Sequence, residues 1–122
     1  MWASPAAADP FDGSAALVCA YMQSYECNGE SACQPGDADD VRIPDFVRID
    51  FDEKTITALD EERRGETTTI RHVERAEGRI ILQGVEGGRG WSLLLSETTG
   101  NTVLTVSDDQ DAFVVFGECT RP

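Results

Sequence analysis

The groups best suited to covalent chemistry are the four cysteines at positions 19, 27, 33 and 119. Cys27 and Cys33 bracket Asn28-Gly29-Glu30-Ser31-Ala32, and the Asn-Gly pair is a turn dipeptide, so a local disulfide can close there. Thiolate metal sites need tight Cys-x-x-Cys or Cys/His pairs, and the one histidine, His72, is remote in sequence from every cysteine. Disulfides are therefore the better fit than a metal. The chain-entropy relation gives about 2.4 kcal/mol for a bridge from Cys27 to Cys33, and about 4.7 kcal/mol for one from Cys19 to Cys119 that ties the two ends of the chain together. This pairing is favoured, with Cys19 to Cys27 and Cys33 to Cys119 as the alternative.

The remaining reactive residue types form no catalytic pattern. His72 lies between Arg71 and Val73 in a threonine-rich stretch with no identified nucleophile or orienting partner. The aspartate runs "DADD" at 37–40 and "DDQD" at 108–111 could offer oxygens to calcium, but neither has the spacing of the twelve-residue calcium loop, and clustered aspartates commonly cap turns. No pair of carboxylates is singled out for glycoside hydrolysis. The cluster "EGGRGW" at 86–91 is neither a Walker loop nor a dinucleotide fingerprint, and no helix follows whose N-terminus could hold a phosphate. Its glycines fit a tight hairpin turn that needs positive φ. Arg89 and Trp91 at its end form a candidate binding edge, since both types are enriched in interface hot spots, while Trp91 also falls in phase with Leu93 and Leu95 as core. No catalytic residue, metal site or cofactor is assigned, and the expectation is a protein that is not an enzyme.

Ten basic residues stand against twenty-three acidic ones, a net charge of −13 that disfavours nucleic acid and anionic lipid surfaces and would steer a basic partner inward. Between Arg63 and Arg89, six arginines face four glutamates, a local +2 on an otherwise acidic chain; cross-strand pairing with acidic neighbours is the simpler use of these arginines. Two disulfides imply an oxidising compartment. The small-residue stretch "ASPAAADP" is of the kind a signal peptidase accepts, although the charged and apolar regions of a signal peptide do not precede it. No stretch approaches the ~20 apolar residues of a membrane-spanning helix. A soluble periplasmic or secreted protein is expected.

The elements that must position these residues are mostly strands. Residues 1–13 lack periodicity and read as a flexible tail, leaving 14–122 as one domain. Segment 14–26 fits a helix through Val18, Tyr21, Met22 and Tyr25, or a strand face through Leu17, Cys19, Tyr21, Gln23, Tyr25 and Cys27; strand is favoured. Beyond the loop "CQPGDADD", Val47, Ile49 and Phe51 alternate with polar residues, "DEK" turns, and 55–59 return. Strands over 67–74, 79–85, 91–96, 102–106 and 112–116 follow, joined by "RAEG", the glycine cluster, "SETTGN" and "SDDQD". About eight short strands with no crossover helix make an all-β antiparallel meander, and closure into a small disulfide-stabilised barrel would remove its edges.

The phrases "IPDFVRIDF", "GWSLLL..TTG" and "FVVFGEC" resemble those of small exported bacterial β-barrel proteins of uncharacterised function. The layout, with a cysteine near each end, is also similar to that of bacterial lysozyme inhibitors, which implies an exported barrel that binds a basic enzyme. The Ser-Gly-x-x-Tyr loop of those inhibitors is absent here, where Tyr21 and Tyr25 follow Ala20 and Ser24. The expectation is therefore a non-enzymatic, exported, acidic binding module of the bacterial cell envelope. Its partner would be a basic protein such as lysozyme, or a small ligand held inside the barrel if side chains such as Trp91, Phe51 and Phe116 do not fill it.

Overall fold

In a computed structural model that describes residues 11–36 and 42–122, the chain forms one curved antiparallel sheet. The strands are β1 (Leu17–Asn28), β2 (Gln34–Gly36), β3 (Phe46–Asp50), β4 (Thr55–Ala58), β5 (Thr67–Thr69), β6 (His72–Ala76), β7 (Arg79–Glu86), β8 (Arg89–Ser96), β9 (Asn101–Ser107) and β10 (Asp111–Thr120), with a 3-10 turn at Glu61–Arg63. Their order is β5-β4-β3-β1-β10-β9-β8-β7-β6, with β2 paired beside the far half of β1. Residues 1–10 of the expected tail, and the aspartate run at 37–40, lie outside the described residues.

Segment 14–26 resolves as strand, but not with one face throughout. Leu17, Cys19 and Tyr21 point inward; the register with β10 then shifts between Tyr21 and Gln23, so Ser24 turns inward while Gln23 and Tyr25 turn out. One inserted residue reverses the phase of everything after it. Two further departures explain why the described residues form ten strands rather than eight. Residues 34–36 of the expected loop pair with β1 as β2, and the strand expected over 67–74 divides at Ile70.

That division bears on the expected barrel. Thr67–Thr69 pairs with β4, whereas His72–Ala76 pairs with β7 on the opposite flank of the sheet. Between them the Ile70 N–H donates to Lys54 O (2.8 Å) and the Arg71 N–H to Gln83 O (2.8 Å). β5 and β6 form no ladder with each other, so the sheet is an open half-barrel and not a ring of continuously paired strands.

Both favoured disulfides form. Cys19 and Cys119 are direct cross-strand partners on β1 and β10, with Cα atoms 3.9 Å apart, and Cys27 and Cys33 close the loop between β1 and β2. Asn28 Oδ1 accepts the N–H groups of Glu30 (2.9 Å) and Ser31 (3.0 Å), the side-chain turn that this Asn-Gly loop promised.

The concave face carries the core. One end is closed by Leu17, Ile49, Ile70, Ile80, Leu82, Leu93, Leu95 and Val115, all 2% exposed or less, with the buried Cys19 to Cys119 bridge among them. Strict alternation places Trp91, Leu93 and Leu95 inward and Leu94 outward, as the period of two requires. Phe51 packs against this core and so does Phe11, whose N–H donates to Glu97 O (3.1 Å). Phe116 does not. It is 42% exposed on the convex face because β10 turns Phe113, Val115 and Gly117 inward, and the apolar run "FVVF" gives no phase by itself.

Candidate functional site

The glycine cluster makes a turn. Glu86 pairs with Arg89, and Gly87 (φ 59°) and Gly88 (φ 81°) are the two central residues of the β7 to β8 hairpin, both in the left-handed region that a two-residue turn of this hand requires. The turn sits at the rim of the half-barrel's less filled end, where the inward positions of the neighbouring strands leave a cavity of about 590 Å³. Tyr21, Val47, Ile56, Trp91, Leu104 and Val106 supply its apolar wall.

Two glycines shape that wall. Gly84 on β7 is the cross-strand partner of Trp91, and a Cβ placed there would lie 2.6 Å from Trp91 Cε2 and 2.8 Å from the Thr69 carbonyl oxygen. Gly117 on β10 is the partner of Tyr21, and a Cβ there would come within 3.0 Å of the Tyr21 ring and closer still to the Ala20 carbonyl. In both cases the missing side chain lets an aromatic ring lie across the neighbouring strand, so the two largest inward side chains of the cavity occupy the space above glycines. Burial pushes the Tyr21 phenol up, well above the ordinary tyrosine range.

The rim is polar. Arg42, Glu66, Glu86 and Arg89 line it, two groups of each sign. Arg89 is held on both sides: its Cζ lies 5.3 Å from the centre of the Phe113 ring, and its Nε is 3.8 Å from Asp108 Oδ2. Asp108 accepts the N–H groups of Gln110 and Asp111 (both 2.8 Å), and these hydrogen bonds, helped by Arg89, hold its carboxyl below the usual aspartate range. The Asp60 carboxylate accepts from the N–H groups of Asp45 and Phe46 (both 2.8 Å), and Arg63 Nη1 donates to Arg42 O (2.8 Å), so the segment through Ile43 and Pro44 is pinned along the cavity's edge.

Two buried side-chain atoms among the described residues have no hydrogen-bond partner, Trp91 Nε1 and Thr68 Oγ1, and both residues line this cavity. Thus the candidate edge of Arg89 and Trp91 is brought together with Tyr21, Thr68, Val47, Ile56 and Leu104, which sequence reasoning did not group. The signal that could have found Tyr21 was the aromatic and glycine pair, which is visible only once register is known. His72 is elsewhere, exposed on the sheet flank, with Nε2 2.9 Å from Glu74 Oε2. Within the arginine-rich strip, Arg75 lies 3.9 Å from Glu97, in the turn after β8, and Arg89 lies 3.8 Å from Asp108, in the turn after β9. Among the described residues no group of three His, Cys, Asp or Glu could hold a metal ion, and no helix is long and apolar enough to cross a membrane.

The convex face offers a second candidate surface. Ile81, Leu94, Val103 and Phe116 stand in one cross-strand row over β7, β8, β9 and β10, and the next row reads Gln83, Ser92, Thr105, Val114 and Tyr25. Tyr25 meets Phe116 edge-on, ring centres 6.2 Å apart. From β7 to β10 neither row carries a charge, and the first row ends at Glu74 on β6, the cross-strand partner of Ile81.

No family model, curated protein or solved structure matches the chain.

Proposed function

We propose that this protein is a non-enzymatic binding module that takes one small, largely apolar molecule into the open end of its half-barrel, working in the periplasm or outside the cell. The cavity carries this reading. About 590 Å³ lies within the range of small-molecule sites, and an apolar wall with a few polar groups at its rim is their usual composition. The other end of the interior is filled by side chains at 2% exposure or less, so the space is confined to one place. The two disulfides suit an oxidising compartment. Barrel closure belongs to the same reading: residues 67–76 act as one bent strand whose halves serve β4 and β7, so that the chain itself is the seam of the wall.

The test is titration with the neutral fluorescent probe N-phenyl-1-naphthylamine. Saturable fluorescence enhancement at one site per chain is expected, abolished by Leu104→Trp, which fills the cavity while keeping an apolar side chain. Absence of saturable binding to the folded wild type would refute the proposal.

A second reading has its own observation, the uncharged stretch of the convex face over β7 to β10. A basic protein, of which lysozyme is an example, would seat an apolar patch on Leu94, Val103 and Phe116 while its periphery meets the surrounding acidic body. Such binding would weaken with salt and be lost in Phe116→Glu. Salt-insensitive binding would rule it out.

A further inference from the structure

We infer that the molecule held in the cavity is a cation, a protonated amine on an apolar body, with its ammonium at the carboxylates of Glu66 and Glu86; this rests on the cavity reading above. The apolar wall accepts any apolar body of the right size, so the class of ligand is decided where the wall ends and charged groups begin. Four charged groups line that mouth: Arg42, Glu66, Glu86 and Arg89.

The two glutamates belong to one stretch of the mouth. β7 passes close to β5 at Gly84, where a Cβ would lie 2.8 Å from the Thr69 carbonyl oxygen. An odd number of antiparallel ladders separates β5 from β7 in the sheet, so the two strands run in opposite directions. Going back along the chain from Thr69 and forward from Gly84 therefore leads the same way along the seam. It ends at Glu66 on one side and Glu86 on the other, both lining the cavity. An ammonium has three N–H donors and a carboxylate only accepts, so one ammonium can serve both glutamates.

These carboxylates are available. Neither forms an ion pair among the described residues, and residues 1–10 and 37–41 contain no lysine, arginine or histidine. The two arginines are differently placed. Arg89 is matched by Asp108 at 3.8 Å and lies over the Phe113 ring, while Arg42 follows Asp37, Asp39 and Asp40 in the chain. With Asp108 counted, the mouth holds three acids against two arginines. The net charge of −13 adds the same sign at longer range, so the field draws a cation inward and repels an anion.

The experiment compares by calorimetry three ligands that share a naphthalene and a short arm: 2-(1-naphthyl)ethylamine, protonated at neutral pH, the uncharged 2-(1-naphthyl)ethanol, and the anion 1-naphthylacetate. At low salt, wild-type protein is expected to bind the amine about tenfold more tightly than the alcohol, about the worth of two exposed carboxylate contacts, and the acetate more weakly than either. The amine's advantage should shrink as salt rises. Glu66→Gln combined with Glu86→Gln keeps both side-chain shapes and is expected to remove that advantage. Glu53→Gln combined with Glu118→Gln takes the same charge from the filled end, in the turn after β3 and beside the buried Cys119, and is expected to preserve most of it. If amine and alcohol bind wild type equally at low salt, the cation assignment is overturned and the cavity reading stands. If the acetate binds most tightly, the sign of the charge is overturned. If the remote pair of substitutions removes the advantage as fully as the pair at the mouth, the assignment to Glu66 and Glu86 is overturned. If none of the three ligands binds, the cavity reading itself falls.

Discussion

Gly84 provides the sharpest single perturbation of this architecture. Gly84→Ala places a Cβ 2.6 Å from Trp91 Cε2 and 2.8 Å from the backbone oxygen of Thr69, so relief requires moving both an indole packed in the cavity wall and the main chain of β5. Overpacking by one carbon in a close-packed interior costs typically 1–3 kcal/mol, and a clash with main chain on one side sets the expected loss at about 3 kcal/mol. Gly90, six residues away on β8, has nothing within 4 Å of the same hypothetical atom, so Gly90→Ala is its control. Restricting the unfolded chain makes Gly90→Ala neutral or stabilising by up to about 1 kcal/mol. In thermal melts the two variants would be separated by about 10 °C or more. In urea they would shift the midpoint in opposite directions or in one direction only for Gly84→Ala. Equal stabilities for the two variants would show that Trp91 does not lie over Gly84, and the shape assigned to the cavity would be wrong.

Other consequences can be checked on the same purified protein. Replacing Cys19 and Cys119 together by alanine is expected to cost about 4.7 kcal/mol, against about 2.4 kcal/mol for Cys27 and Cys33 replaced by serine; urea unfolding gives both, and the order should not invert. Tyr21 has a raised folded-state pKa, so its stabilising contribution is complete below the unfolded value of about 10 and is lost as pH rises beyond it. Tyr21→Phe would accordingly flatten the fall in stability above about pH 10, and an unchanged alkaline limb would contradict the burial of the phenol. Asp108 has a lowered folded-state pKa, so its contribution is present above about pH 4 and fades as pH falls through the folded value. Protection factors of the amides in the 107–111 turn, taken relative to their intrinsic exchange rates, should fall in that acid range, and Asp108→Asn should remove that fall.

Much of the fold was legible because its signals are local. Period-two alternation in "WSLLLS" set which residues face inward, the paired glycines marked a two-residue turn, and the bridge from Cys27 to Cys33 follows from a five-residue loop. What escaped depends on longer-range geometry. A bulge beside Met22 reversed the faces of β1, and no residue type there announces it. Ile70 divides a threonine-rich stretch that reads as one strand, because its two halves find partners on opposite flanks of the sheet. Phe116 ends the unbroken apolar run "FVVF", so alternation could not orient it. The candidate site was half visible for the same reason: Arg89 and Trp91 share a phase on one strand, whereas Tyr21, Val47, Ile56, Thr68 and Leu104 join them only through the register of other strands.

The central claim is that the open end of the half-barrel receives one small, largely apolar molecule. It is tested most directly by following ¹⁵N-labelled protein by NMR while N-phenyl-1-naphthylamine is added. The expected result is a saturable set of shifts at Tyr21, Val47, Ile56, Thr68, Leu104 and Val106, with Leu94, Val103 and Phe116 unmoved. Shifts confined to the convex row, or no saturable shift at the cavity residues, would contradict it.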